Sequence, residues 1–382
     1  PDSCDFLVCS CLETRDLFQY GKVCRDTQRA VKAYSSQAFQ LRRTLRPFMS
    51  TTDVRLFRDL MRQTGTLISG PAALHFFCRT PINDDEQLDL YTEGENATDI
   101  ASFIQALGYL YQPRAYQKPK VVKAVKDAIH RYVVRDNLLH SIPAVLDVLI
   151  FVRDEVKIRI MIADQSAMDS ILDFHSTPVM NFISYRSAYS LFPQSTFLDK
   201  FGVLFAGNLP QHHIDKYTAL GWQMQPSLSH DNYSDAPQEL KSVVRYVGDK
   251  YTWTIDLDDC AESHDDPVLF NSWEIMWSYR AYAYIMPQLQ RVLFLAPRRW
   301  IPSRIFATSV ELKSFMVALD ILEANYKVQD DYDFIMAAVK SAGDHLFERS
   351  PPCLTDTLCL ISYNSSFRGK RQPVVMSLDE RL

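Results

Sequence analysis

Two neighbouring stretches decide the fold: residues 66–77, TLISGPAALHFF, and residues 87–91, QLDLY. The first begins with a short apolar run that predicts a strand, followed by Gly70, which permits a tight turn. Pro71 is favoured at the first position of a helix, where its missing N–H is not needed. The apolar run after Pro71 predicts a buried helix. The pattern is therefore a strand, a glycine turn and a buried helix.

The second stretch alternates apolar and polar residues, as a β-strand does. A period of two places Leu88 and Leu90 on one face of this strand and Gln87, Asp89 and Tyr91 on the other. Acidic groups at alternate positions on the second face would therefore point in the same direction.

This order of elements is typical of a phosphate site. The N-terminus of the predicted helix offers free N–H groups and a partial positive charge to an anion. Carboxylates on alternate positions of the next strand can hold two Mg²⁺ ions, which bridge the phosphates and activate the attacking hydroxyl. A third carboxylate from a neighbouring strand normally completes such a site.

The sequence resembles the nucleotidyltransferase (polymerase-β-like) superfamily and, more closely, a fungal family of uncharacterised proteins in which an F-box-like helical start precedes such a core. The resemblance covers the first half of the chain well and the second half loosely. It rests on five segments: residues 16–31, DLFQYGKVCRDTQRAV; 60–80, LMRQTGTLISGPAALHFFCRT; 88–91, LDLY; 174–193, FHSTPVMNFISYRSAYSLFP; and 245–257, RYVGDKYTWTIDL.

The sequence patterns and the resemblance together predict an α+β fold in three parts. Residues 1–50 are expected to form a helical F-box-like segment, residues 51–195 a nucleotidyltransferase-like mixed sheet with helices, and residues 196–382 a C-terminal α+β domain. Strand or helix signals in the last part lie at residues 251–257, 292–297, 310–328 and 357–363.

The chain departs from the superfamily pattern where the chemistry would lie. Pro71 removes one amide donor from the turn, and the neutral Gln87 stands where the first of two paired carboxylates is expected. The third carboxylate should come from residues 156–163, VKIRIMIA, the second strand of a predicted hairpin. The polar face of that strand offers Lys157 and Arg159 instead.

Two hypotheses follow for this site. In the first, Asp89 is catalytic and, helped by Asp85 or Asp84 from the acidic loop, binds a nucleotide with Mg²⁺ for transfer. In the second, which we favour, Lys157 or Arg159 neutralises Asp89, and the protein is a pseudoenzyme that needs no metal or other cofactor.

Nucleotide binding without a metal is compatible with the second hypothesis. The turn at Ser69 and Gly70, together with Lys157 and Arg159, would then hold the phosphates.

The N-terminal helices suggest a different class of function. An F-box-like element would dock a ubiquitin-ligase adaptor through residues 1–45. The alternative is that these helices pack onto the core and bury four apolar side chains: Leu17, Tyr20, Val23 and Val31.

Composition limits the other partners. The net charge of −5 makes a nucleic-acid-coated surface unlikely, and the basic residues of segment 118–135 are expected on the solvated face of a helix. No apolar run is long enough to cross a bilayer. The eight cysteines lack metal-ligand spacing, which indicates reduced thiols in a cytoplasmic or nuclear protein.

Two weaker candidates lie outside the main motif. His175 is a candidate base, but a histidine beside Ser and Thr is more often a hydrogen-bonded turn residue. The acidic stretch 256–266 lacks the spacing of a calcium loop, so we expect a solvated loop there.

Overall fold

The structure is a computed structural model. It describes residues 3–82, 87–136, 145–164, 166–205, 211–225, 236–241, 244–257, 266–280, 284–295 and 299–301. The predicted helix 310–328 and the predicted strand 357–363 lie outside the described residues.

The described residues form ten α-helices, most of them in the first third of the chain. They are α1 (Ser3–Cys11), α2 (Thr14–Gly21), α3 (Arg25–Ala38), α4 (Leu41–Thr44), α5 (Thr51–Thr64), α6 (Pro71–Cys78), α7 (Ala97–Ala106), α8 (Val121–Asp136), α9 (Ala167–Leu172) and α10 (Gln211–Ala219).

The strands begin at the predicted glycine-turn motif. They are β1 (Leu67–Ser69), β2 (Leu88–Glu93), β3 (Leu110–Gln112), β4 (Val145–Arg153), β5 (Val156–Ala163), β6 (Asn181–Ile183), β7 (Ser187–Ser190), β8 (Phe201–Val203), β9 (Gln223–Gln225), β10 (Val244–Tyr246), β11 (Trp253–Asp256), β12 (Asn271–Arg280), β13 (Tyr284–Leu295) and β14 (Arg299–Ile301).

Eight strands form one mixed sheet in the order β11-β7-β6-β1-β2-β5-β4-β3. β1 pairs antiparallel with β2, and β2 pairs parallel with β5. The predicted hairpin is β4 and β5, and β10, β12, β13 and β14 form a separate four-stranded sheet. The α+β class is therefore confirmed.

Both faces of the mixed sheet are buried at its central strands β1 and β2, and the period of two decides which core each side chain enters. Leu88 and Leu90 of β2 belong to a first core, which helices α5 to α8 cover. Tyr91 belongs to a second core on the other face, with Met161 of β5 and residues of α9. The predicted alternation in β2 is confirmed.

The N-terminal helices pack against the sheet domain. Arg79, at the end of α6, donates hydrogen bonds to the backbone oxygens of Cys9 and Leu12 and to the hydroxyl of Tyr34. Leu17 is buried in a small cluster with Tyr34, and Tyr20 and Val31 pack partly against it. Val23 is different, because it is 72% exposed. Its expected burial is therefore wrong, since it lies just beyond the last turn of α2.

The packing crosses both predicted domain boundaries. Phe39 and Leu45 share the first core with Phe57 of α5, across the boundary at residue 50. β11 pairs with β7 across the boundary at residue 195, and its Trp253 contacts the ring of Phe18. The division into three domains stays a prediction, and the first core and the mixed sheet both extend across the predicted boundaries.

The acidic stretch 256–266 is not uniformly solvated. Asp266 is buried and accepts hydrogen bonds from the hydroxyls of Ser184 and Tyr189. Burial raises the pKa of its carboxyl. The expectation of a solvated loop is wrong for this residue, because it caps a short 3-10 turn against the second core. Residues 258–265 lie outside the described residues.

Candidate functional site

The glycine turn brings the end of β1 next to the start of β2. Ser69 is directly opposite Asp89 in the antiparallel pair. Gly70 follows with φ of 66° and ψ of −144°, a conformation for which glycine is strongly favoured, and Pro71 begins α6. A Cβ added to Gly70 would lie 2.6 Å from Oδ2 of Asp89. The carboxylate of Asp89 therefore fills the space beside the glycine turn.

Arg159 binds this carboxylate with both arms of its guanidinium. Nε donates to Oδ1 at 2.7 Å, and a terminal nitrogen donates to Oδ2 at 2.6 Å. The two residues are neighbours because β2 and β5 run parallel with Asp89 beside Arg159 in the register. The side chain of Asp89 is 4% exposed and that of Arg159 is 33% exposed. The predicted neutralisation of Asp89 by a cation from this strand is confirmed for Arg159.

The ionisation of the pair follows from burial and charge. Burial raises the pKa of the Asp89 carboxyl, and the hydrogen bonds and charge of Arg159 oppose part of that rise. Burial lowers the pKa of Arg159, but the bonds and charge of Asp89 outweigh it and raise that pKa. The pair is ionised, because two short parallel N–H···O hydrogen bonds are the geometry of a bidentate ion pair between a guanidinium and a carboxylate.

Side chains of β2 and of later segments lie close enough to the pair to act on it electrostatically. Tyr91 lies two residues beyond Asp89 on the same face, and its ring contacts Phe174. The charge of Lys216 on α10 lowers the pKa of Asp89, and neighbouring Tyr217 contacts the ring of His175. The sequence analysis missed Lys216 and Tyr217, because it assigned α10 to a different domain. Sequence spacing carries no signal that would have joined α10 to β2.

The other residues singled out in the sequence lie in different settings. Ser69 is buried and donates its hydroxyl hydrogen bond to the backbone oxygen of Asn181 at 2.6 Å. Lys157 is exposed on the same face of β5 as Arg159. Gln87 precedes β2 rather than belonging to it. Asp85 lies outside the described residues.

His175 behaves as a hydrogen-bonded turn residue in this fold. Its Nδ1 lies 2.8 Å from the hydroxyl of Ser176, next to the short 3-10 turn that starts at Thr177. This geometry is the one expected of a hydrogen-bonded turn residue rather than of a catalytic base.

The described residues contain no group of three or more His, Cys, Asp or Glu side chains that could hold a metal ion. At the glycine turn, the carboxylate of Asp89 already accepts two hydrogen bonds from a cation. The arrangement can hold an anion beside Arg159 and Lys157 more readily than a divalent cation.

Comparisons of the chain with protein-family models, with curated proteins and with solved structures gave no significant match. Among the helices that the structure describes, none combines the length and apolarity needed to cross a membrane.

Proposed function

We propose that this protein is a catalytically inactive protein of the nucleotidyltransferase fold class that binds a nucleotide without a metal. One observation carries the proposal: both carboxylate oxygens of Asp89 accept hydrogen bonds from Arg159. A transferase of this class needs that carboxylate to be available to Mg²⁺.

The charges around the turn support anion binding. The pair of Asp89 and Arg159 has no net charge, and Lys157 lies exposed on the same face of β5. A third of the Arg159 side chain is exposed, so its outer N–H groups are accessible to a phosphate. The nucleotide would therefore lie over the outer edge of the pair rather than inside the turn.

Calorimetry with ATP, in the presence and absence of Mg²⁺, tests the proposal. We expect ATP to bind equally well under both conditions, with no turnover of labelled nucleotide. Lys157→Ala should weaken binding by about tenfold, because it removes one charge-assisted contact. Lys123→Ala is the matched control, since Lys123 is an exposed lysine on α8.

The active metal-dependent transferase is the alternative, and it predicts the opposite result. Binding would require Mg²⁺, labelled nucleotide would be transferred, and Asp89→Asn would abolish the transfer. Under our proposal Asp89→Asn leaves ATP binding intact, because it releases Arg159 for the phosphates.

A second candidate function is the ubiquitin-ligase substrate adaptor, and one observation favours it. Leu7, Val8 and Val23 are exposed apolar side chains of the N-terminal segment, with Leu7 62% exposed. Such side chains are what a docking helix pair presents to its partner.

Point substitutions test the adaptor better than a deletion of residues 1–45, which would remove Phe39 and Leu45 from the first core. The adaptor predicts co-purification with the ubiquitin-ligase linker protein and its loss in Leu7→Asp/Val23→Asp. Leu220→Asp, at an exposed leucine after α10, is the control. An interaction that survives the double substitution rules out docking through this surface.

A further inference from the structure

A cavity of about 720 Å³ lies between the N-terminal helices and the hairpin of β4 and β5. We call it the arginine cavity, because four of its lining residues are arginines: Arg42, Arg43, Arg46 and Arg153. The other lining residues are Met49, Ser50, Thr51 and Asp53. We propose that the arginine cavity binds a small ligand with two or more linked phosphates.

Arg153 is a fixed cation in the wall of the cavity. Its guanidinium donates to the backbone oxygens of Leu107 at 2.6 Å and of Phe48 at 3.1 Å, and it lies 4.3 Å from the ring centre of Tyr109. These contacts orient the guanidinium without neutralising it, because carbonyl oxygens and a ring carry no net charge. An anion in the cavity would meet an arginine that is already in place.

Arg43 and Arg46 form no side-chain hydrogen bond or ion pair with any residue that the structure describes. They lie three residues apart on consecutive turns, so their like charges repel one another. Arg42 donates only to the neutral side chain of Gln40. A ligand with several negative charges would relieve this repulsion and would accept hydrogen bonds from the free N–H groups of these arginines.

The start of α5 adds a further attraction for an anion. This helix has 14 residues, and its first residue, Thr51, lines the cavity. The partial positive charge of the helix lies at that end, where the N–H of Asp53 already donates to the Ser50 hydroxyl. Asp53 is the one carboxylate among the lining residues, and it accepts hydrogen bonds from the N–H and hydroxyl of Ser50. With four arginines and one carboxylate, the described lining of the cavity carries three positive charges in excess.

The lining also limits the kind of ligand. Among the described residues that line the cavity, Met49 is the only one with an apolar side chain, and none has an aromatic ring on which a base could stack. Recognition would thus depend on linked phosphates and not on a nucleobase. The arginine cavity is also independent of the Asp89 site, because Phe48 and Tyr109 beside it belong to the first core, on the other face of the sheet.

Calorimetry of the full chain with inorganic tripolyphosphate tests the proposal, with ATP and AMP as further ligands. We expect tripolyphosphate and ATP to bind comparably and AMP to bind at least about tenfold more weakly, because it offers fewer charge-assisted contacts. Arg43→Ala/Arg46→Ala should weaken tripolyphosphate binding by at least about tenfold. Both side chains are exposed, so the variant should fold, which circular dichroism checks.

Arg25→Ala/Arg29→Ala is the matched control, because it removes the same charge from an exposed part of α3. It should change binding by less than about twofold, as expected of a distant surface charge. The proposal is overturned by absent binding at millimolar tripolyphosphate or by equal weakening in both double variants. ATP binding that depends on Lys157 and not on Arg43 and Arg46 would overturn this inference and leave the proposed function standing.

Discussion

The Asp89 site and the arginine cavity use the same side chain in opposite ways. At the Asp89 site, Arg159 is matched by a buried carboxylate of the chain itself. In the cavity, four arginines are set against one carboxylate, which is engaged at the start of a helix. The carboxylate of the first site is already neutralised by an arginine of the chain, whereas the lining of the second site has an excess of positive charge.

The two regions differ in the source of the negative charge that each arginine can bind: a carboxylate of the chain for Arg159, and an external anion for the arginines of the cavity. An internal pair stabilises the fold only while both partners remain, and it closes the site to metal ions. Exposed arginines without a partner contribute little to folding, and their charge is available to an external anion. Stability measurements therefore separate the two regions.

The largest expected effect is that of removing Arg159. Arg159→Met leaves the Asp89 carboxylate buried without a partner, so we expect a loss of about 4 kcal/mol in the free energy of unfolding. Asp89→Asn should cost less, because Arg159 is 33% exposed and can reach water. Urea unfolding of the two variants measures both losses. A smaller loss for Arg159→Met than for Asp89→Asn would contradict the assignment of Asp89 as the buried partner.

The next effect concerns the contact between Asp89 and the glycine turn. Gly70→Ala places a Cβ at 2.6 Å from the carboxylate and imposes a φ of 66° on alanine. We expect a loss of about 3 kcal/mol, the sum of a close contact and backbone strain. Gly221→Ala is the control, because it has a φ of 92° with nothing within 4 Å of the added Cβ. Equal losses in unfolding experiments would show that Asp89 does not fill the turn.

Glu239 can be compared with Asp89, because it is also a buried carboxylate but its hydrogen-bond donors are neutral. Glu239 accepts from the N–H groups of Gln194 and Ser195 and from the Ser195 hydroxyl, and burial raises its pKa from 4.5 to about 7. The folded state thus holds this proton more tightly than the unfolded state. The resulting stability is complete below pH 4.5 and is lost as the pH rises through about 7.

Unfolding free energies at about pH 5 and about pH 8 measure this slope. We expect the protein to lose about 2 kcal/mol between them, and Glu239→Gln to lose less, because its amide does not ionise. The same slope in both proteins would show that another group is responsible.

The smallest expected effect is in the arginine cavity. Arg43→Ala/Arg46→Ala should leave the ligand-free protein as stable as before or about 0.5 kcal/mol more stable, since it relieves repulsion between like charges. Added salt should reduce that difference. Thermal unfolding at two salt concentrations measures it. A clear loss of stability would mean that these arginines have internal partners.

The sequence predicted the parts of the site that depend on local pattern. Period-two alternation placed Asp89 and Arg159 on one face of their strands, and Pro71 and Gly70 marked the start of α6. These predictions succeeded because a strand or a helix start is specified by neighbouring residues.

The arginine cavity and α10 were not predicted, because they depend on contacts between distant segments. Arg153 joins residues 42–46 only once the hairpin packs on the N-terminal helices, which no local spacing shows. In the same way, Lys216 is more than a hundred residues from Asp89 in the sequence, yet its charge lowers the pKa of the Asp89 carboxyl. The local sequence feature that could have indicated the arginine cavity is the LRRTLR run at residues 41–46. Its positive charges are equally compatible with a solvated helix surface.

Manganese binding tests the central claim that Arg159 makes the carboxylate of Asp89 unavailable to a metal ion. Crystals of the full chain soaked in Mn²⁺ should show no anomalous peak beside Asp89, while Arg159 keeps both contacts to it. A pair of well-occupied peaks next to Asp89, with the guanidinium displaced, would contradict the account.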